Sequence, residues 1–213
     1  MDFLPQEIEL YAQEHSDPES ALLKKINRET HARVMMPRML SGHMQGRILS
    51  MLSHMIRPQV ILEIGTYTGY SALCMAEGLA PDGRVITLDI NEELEDRVRG
   101  YFEESAYSSA MDYRIGNALD IIPEIDEEFD LVFIDADKKN YFNYYKLVFE
   151  KVRPGGFIIA DNVLWSGKVV RSTKKIDKDT QAILDFNRWV QEDDRVENVL
   201  FPVRDGLMVV RKK

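Results

Sequence analysis

The chain has a single cysteine, Cys74, in 213 residues, so no internal disulfide can staple it. Its four histidines, at 15, 31, 43 and 54, have no metal-ligand spacing and all precede the strand-rich part of the chain, which suits surface or dimer contacts better than catalysis. No apolar run comes near the ~18 residues that would cross a bilayer, and the start lacks the pattern of a signal peptide. Positive charge is in deficit: 27 Lys and Arg against 36 Asp and Glu leave a net charge of −9, which disfavours broad binding to nucleic acid or anionic lipid while leaving room for a local basic patch. There is no internal repeat and no low-complexity tract. These absences predict a reduced, cytoplasmic protein with no membrane partner. A content of 45% apolar and 30% charged residues is ordinary for a globular chain, here read as a single domain.

What is present is alternation. Residues 2–41 read as helices joined by turns, with a helix start at Ser16-Asp17-Pro18-Glu19, and 42–56 carries Ile48, Leu49, Leu52, Met55 and Ile56 at helical spacing before Pro58. This makes residues 1–57 a helical extension ahead of a core at 58–213. In the core, short apolar runs at 60–64, 84–88, 111–115 and 131–134 alternate with helical segments at 71–78, 92–105, 118–122 and 141–152. A fifth run, 157–160, follows Pro154-Gly155-Gly156 as a turn, and 177–191 reads as one more helix. Such alternation predicts right-handed crossovers and a parallel sheet with helices on both faces. The last two strands, 196–203 and 207–211, are separated only by Arg204-Asp205-Gly206, too short for a crossover, so they pair antiparallel. The expected fold is α/β and Rossmann-like, seven-stranded and mostly parallel with an antiparallel C-terminal hairpin, the arrangement of a methyltransferase that uses S-adenosylmethionine.

The first strand runs into Glu63-Ile64-Gly65-Thr66-Tyr67-Thr68-Gly69-Tyr70-Ser71. Gly65 and Gly69 permit a sharp turn and close backbone approach to a ligand, but the spacing is not G-x-G-x-x-G and no Gly-Lys-Ser/Thr follows, so a phosphate-free cofactor fits better. Glu63 can accept from the amino group of an amino-acid moiety, where a pyrophosphate would be repelled. Asp89, closing the second strand about twenty residues past the glycine turn, can accept from both hydroxyls of a ribose; the alternative is that it caps the helix starting near Asn91. Gly116-Asn117-Ala118 supplies a small-residue turn for an adenine edge.

The fourth strand ends in Asp135, Asp137 and Lys138, and the fifth in Asp161-Asn162. Ligands in open parallel sheets bind outside the carboxyl ends of the strands, so these groups should converge. Carboxylates with an amide carbonyl make a hard oxygen set suited to Mg²⁺, Ca²⁺ or Mn²⁺, and Lys138, three residues beyond Asp135, lies on the same side of one helical turn. The competing reading makes the two aspartates caps, or partners of Lys138 and Lys139. Cys74 reads as core, and Met35, Met36 and Met39 either touch a sulfonium or merely pack.

In order and spacing, EIGTYTGYS, the Asp89 strand end, FIDADK and ADNVLW resemble the metal-dependent O-methyltransferases of the catechol and caffeoyl-CoA type, in a bacterial form, from about Met36 to the C-terminus. The resemblance implies Asp135, Asp161 and Asn162 as ligands of a divalent cation, with Mg²⁺ the first choice, and Lys138 at the substrate hydroxyl as general base. It implies Ser41, Glu63, Gly65, Thr66, Ser71, Asp89, Ala118 and Asp137 as the S-adenosylmethionine site, an aromatic diol as acceptor, and a homodimer. The chain departs from the plant pattern before the first strand, where His43-Met44 precede Gln45-Gly46 in place of an acidic residue. Segment 164–179 brings Trp165 as an aromatic wall and Lys168, Arg171, Lys174, Lys175 and Lys178 as a basic rim, which would suit an anionic tail such as a coenzyme A thioester. It would also suit RNA, since a bacterial branch of the fold methylates hydroxylated uridine in tRNA. A non-catalytic S-adenosylmethionine sensor has no need of Asp135, Lys138, Asp161 and Asn162 together.

Overall fold

The computed structural model describes residues 5–171 and 176–213. The chain packs as two compact units, Leu4–Asn117 and Ala118–Lys213. The first contains helices α1 (Gln6–Glu14), α2 (Ala21–Arg33) and α3 (Gly42–Ile56), then strand β1 (Val60–Ile64), α4 (Tyr70–Ala76), β2 (Arg84–Asp89), α5 (Glu95–Glu104) and β3 (Met111–Ile115). The second contains α6 (Ala118–Glu124), β4 (Phe129–Ile134), α7 (Tyr141–Lys151), β5 (Val152–Asp161), α8 (Lys178–Glu192), β6 (Val196–Phe201) and β7 (Leu207–Lys212). The sheet has seven strands, as expected, in the order β3-β2-β1-β4-β5-β7-β6. In the first unit β1 pairs with β2 and β2 with β3, all parallel; in the second β4 and β5 are parallel while β7 runs antiparallel to both β5 and β6.

The continuous apolar runs behave as buried parallel strands. Ile61, Leu62, Val85 and Ile86 in one unit, and Leu131, Val132, Phe133, Ile158 and Ile159 in the other, are buried, as strands covered on both faces require. Helix ends follow local chemistry. Arg57 adopts a left-handed conformation (φ 52°) at the end of α3, just before Pro58, and Asp177 caps α8 by accepting from the Thr180 amide at 2.8 Å. The Thr180 amide above all, with Lys168 at 3.1 Å also contributing, holds the Asp177 carboxyl down to about 2. No helix among the described residues is long and apolar enough to cross a membrane.

Three local expectations are corrected. Ser16-Asp17-Pro18-Glu19 does not start a helix: α2 begins at Ala21 under the cap of Ser20, whose hydroxyl accepts from Leu23, while Ser16 donates back to the Ala12 carbonyl at 2.8 Å. Pro154-Gly155-Gly156 is not a turn ahead of a short strand but lies inside β5. There β4 advances from Phe129 to Leu131 while its partner advances from Val152 to Phe157, so the extra residues are taken up as a bulge, with Gly155 at φ 78°. Proline is tolerated there because a bulge leaves the ladder locally unpaired. The predicted helix at 92–105 is also split, into a 3₁₀ turn at Glu92–Leu94 and α5.

Gly78 sets the spacing between α3 and the segment after α4. A Cβ there would lie on the backbone of Ser53 and His54, which cannot rotate away as a side chain can. Gly78→Ala is therefore expected to cost about 3 kcal/mol, the upper end of ordinary overpacking, and to lower Tm by roughly 6–12 °C. Thermal unfolding checks it; an unchanged Tm would mean that this contact relaxes freely.

Candidate active site

The cofactor-type residues of the first unit are arranged around the glycine turn. Glu63 is fully buried at the end of β1; it accepts from Ser71 Oγ at 2.5 Å and from the Thr87 hydroxyl. Because Thr87 donates to Glu63, the 2.6 Å contact between the Thr66 and Thr87 hydroxyls has Thr66 as donor. The result is a buried chain from Thr66 through Thr87 to Glu63. Gly65, at φ 105°, donates to the Leu88 carbonyl at 2.9 Å, and Gly69, at φ 77°, opens α4 with no room for a Cβ beside Phe102.

Asp89 serves the turn as well as its own strand end. One of its oxygens accepts from the Tyr67 amide at 2.6 Å and the other from the Asn91 amide at 2.8 Å. The capping alternative is therefore present, and it leaves lone pairs for a ribose, since a carboxylate offers about four acceptor sites. Tyr67 is a residue the sequence reading passed over: at φ 49° its hydroxyl donates to the Met35 carbonyl at 3.0 Å, tying the segment before α3 to the glycine turn. Ser41 is buried, while Met35 is 85% exposed and Met36 and Met39 are also exposed. Cys74 is core, and burial pushes its thiol up to about 12.

In the second unit the structure brings Lys138, Asp135 and Asn162 together. Lys138 opens a 3₁₀ turn after β4 and is only 8% exposed. Its Nζ donates to Asn162 Oδ1 at 2.7 Å, to Asp135 Oδ1 at 3.2 Å and to the Tyr141 hydroxyl at 2.5 Å. Tyr141 donates in turn to the main-chain carbonyl of Asp161 at 2.9 Å, and burial, with Asp135 and Asp161 adding to it, pushes its phenol well above the ordinary range. Asp161, 3% exposed at the end of β5, accepts from the Asn162 amide at 2.6 Å, and Asn162 itself sits at φ 58°, a conformation that asparagine tolerates.

Asp137 is turned elsewhere. It is exposed, and its oxygens accept from Tyr144 at 2.6 Å and Asn140 at 2.7 Å, which ties it to the start of α7. Ala118 is buried at the first position of α6. Trp165 stands beside the lysine, with Nζ of Lys138 5.8 Å from its ring centre, and its buried indole nitrogen has no hydrogen-bond partner among the described residues. Positive φ at Asn162, Trp165 and Ser166 concentrates backbone strain just past β5. Of the basic rim, Lys174 and Lys175 lie outside the described residues, and Lys168 is paired with Asp177.

Among the described residues no group of three His, Cys, Asp or Glu is suited to a metal, so the candidate set depends on the amide oxygen of Asn162. Its chemistry fits a hard dication: the donors are all oxygen, and Asp135 and Asn162 already face a cationic group, the Lys138 ammonium.

Comparison with solved structures gives the class, a Rossmann-like methyltransferase. The SAH-bound methyltransferase of Podospora anserina matches with a TM-score of 0.90 and 26% identity over 100% of this chain and 99% of that one. An O-methyltransferase from Bacillus cereus in complex with SAH matches at 0.89 and 30% identity over 97% of each chain. The family model described as O-methyltransferase matches residues 13–213, and caffeoyl-CoA O-methyltransferase 1 of Eucalyptus globulus is 35% identical over 178 residues, 79% of this chain and 72% of that relative. The chain belongs to the O-methyltransferase family.

Proposed function

We propose that this chain transfers the methyl group of S-adenosylmethionine to one hydroxyl of a vicinal diol, a catechol or caffeoyl-CoA-like acceptor, with a divalent cation. The observation that carries the reading is the placement of Lys138 Nζ against Asp135 and Asn162 at the ends of two neighbouring strands. Asp135, Asp161 and Asn162 would hold the cation, Mg²⁺ first and Ca²⁺ or Mn²⁺ as alternatives. Its positive charge would lower the pKa of an acceptor hydroxyl. Glu63, Gly65, Thr66, Ser71 and Asp89, with Ser41, Ala118 and Asp137, are assigned to the cofactor.

Lys138 faces the acceptor hydroxyl as general base. Three acceptors among the described residues surround Nζ and suit an ammonium, which has three N–H donors, so Nζ gives one proton to solvent water before it takes one from the acceptor. The deprotonated acceptor oxygen then forms the O–CH₃ bond as the C–S bond of the sulfonium breaks, releasing S-adenosylhomocysteine. No covalent enzyme intermediate is required, and the protein contributes orientation and exclusion of water. Trp165 is assigned to the acceptor wall and the family's homodimer to the same reading.

The test is transfer of labelled methyl, with and without Mg²⁺, to a caffeoyl-type catechol and to bulk tRNA lacking its native modification. Mg²⁺-dependent label on the catechol is expected. Full activity in EDTA removes the cation from the reading, and label on the tRNA alone moves the acceptor to RNA.

A further inference from the structure

Two of the three acceptors around the Lys138 nitrogen, Asp135 and Asn162, are oxygens that the proposed reaction assigns to a cation. When that cation takes them, the nitrogen keeps one hydrogen-bond acceptor among the described residues, the Tyr141 hydroxyl. That hydroxyl is well placed to serve alone. Its proton is directed to the Asp161 main-chain carbonyl at 2.9 Å, with the Ile134 carbonyl at 3.4 Å, so a lone pair remains for Nζ. Both carbonyls belong to strand ends, which fixes the oxygen to the sheet rather than to a rotating side chain. The ring is fully buried, edge-on to Phe186 at 5.6 Å, and Nζ lies 4.6 Å from its centre, within reach of a cation–π contact.

Resting on the reading above, we infer that Tyr141 is a positioning residue that holds the Lys138 nitrogen at the reaction site when Asp135 and Asn162 take other partners. Plain core packing is the competing account, and it needs only the ring. Tyr141→Phe keeps the ring and removes the oxygen, so it separates the two.

The expected result is a kcat lowered roughly 10–100-fold, as for other groups that orient a functional side chain, with the acceptor KM and the S-adenosylmethionine Kd unchanged and Tm lowered by roughly 2–12 °C, the cost of one buried hydroxyl and its partners. In a Lys138→Ala background the same substitution should cost nothing further, because the group it positions is gone. A second readout needs no activity: reductive methylation with formaldehyde and cyanoborohydride, mapped by peptide mass, should modify Lys138 faster in Tyr141→Phe than in the parent chain. An equal loss of kcat in both backgrounds, or an unchanged labelling rate, overturns the inference. A parent chain that transfers no methyl to any acceptor defeats the proposed function instead, and the labelling rate then decides on Tyr141 by itself.

Discussion

Lys138→Ala is expected to lower kcat for methyl transfer by about 10²–10⁴-fold, the range carried by one positioned proton-transfer group, while leaving S-adenosylmethionine affinity intact. The separation follows from where the side chain is tied. Its hydrogen bonds go to Asp135, Tyr141 and Asn162, none of which belongs to the glycine turn or to the end of β2. Folding should survive, since Asp135 keeps 21% side-chain exposure and can replace the lost ammonium with water. Lys138→Arg distinguishes base from electrostatic partner: a guanidinium keeps the charge and does not deprotonate in proteins. A dead arginine variant supports the base, and a substantially active one supports charge alone. Single-turnover label transfer at saturating cofactor, with calorimetric cofactor titration alongside, reads both quantities. Wild-type rates in Lys138→Ala would remove the lysine from the mechanism.

Glu63→Ala is expected to be the most damaging change in the first unit. It deletes a fully buried carboxyl and strands the Ser71 and Thr87 hydroxyls that donate to it, with Thr66 one bond further on. Each buried hydroxyl left without its partner costs about 1–3 kcal/mol. Together the two losses amount to roughly 2–6 kcal/mol, which lowers Tm by roughly 4–24 °C in a chain of this length. Cofactor affinity should fall with it, because the same chain braces the glycine turn. Glu63→Gln keeps the volume and lets Ser71 or Thr87 rotate to accept, so it should retain most of the stability while losing cofactor affinity if the carboxyl meets an amino group. Thermal melts with and without S-adenosylmethionine check the pair. An alanine variant that keeps both Tm and the cofactor-induced shift would show that Glu63 serves neither role.

The arrangement of strands and helices was legible because burial on both faces demands unbroken apolar runs, as in Leu131–Ile134 and Val60–Ile64, and turns of the wrong length exclude the other pairings. The same logic places Asp135 near Asn162, since parallel neighbours end on the same side of a sheet. It failed at Pro154-Gly155-Gly156, where local turn chemistry is strong but cross-strand pairing absorbs the extra residues as a bulge. It failed again at Ser16, where two adjacent stretches both offer capping groups and the docking of α2 selects Ser20.

By itself the sequence determined the class of fold and the two charged strand ends, because each depends on spacing along the chain. Tertiary structure alone decided which aspartate of the Asp135-Ala136-Asp137 run faces the lysine: backbone torsion after β4 turns Asp135 toward Nζ and sends Asp137 to Tyr144 and Asn140. It alone showed that Asp89 holds the Tyr67 amide and that Tyr141 joins Lys138 to the carbonyl of Asp161. Hydrogen bonds between distant segments leave no periodic signal, so a tyrosine that orients a lysine and one that only fills a core read alike until their hydroxyls are located.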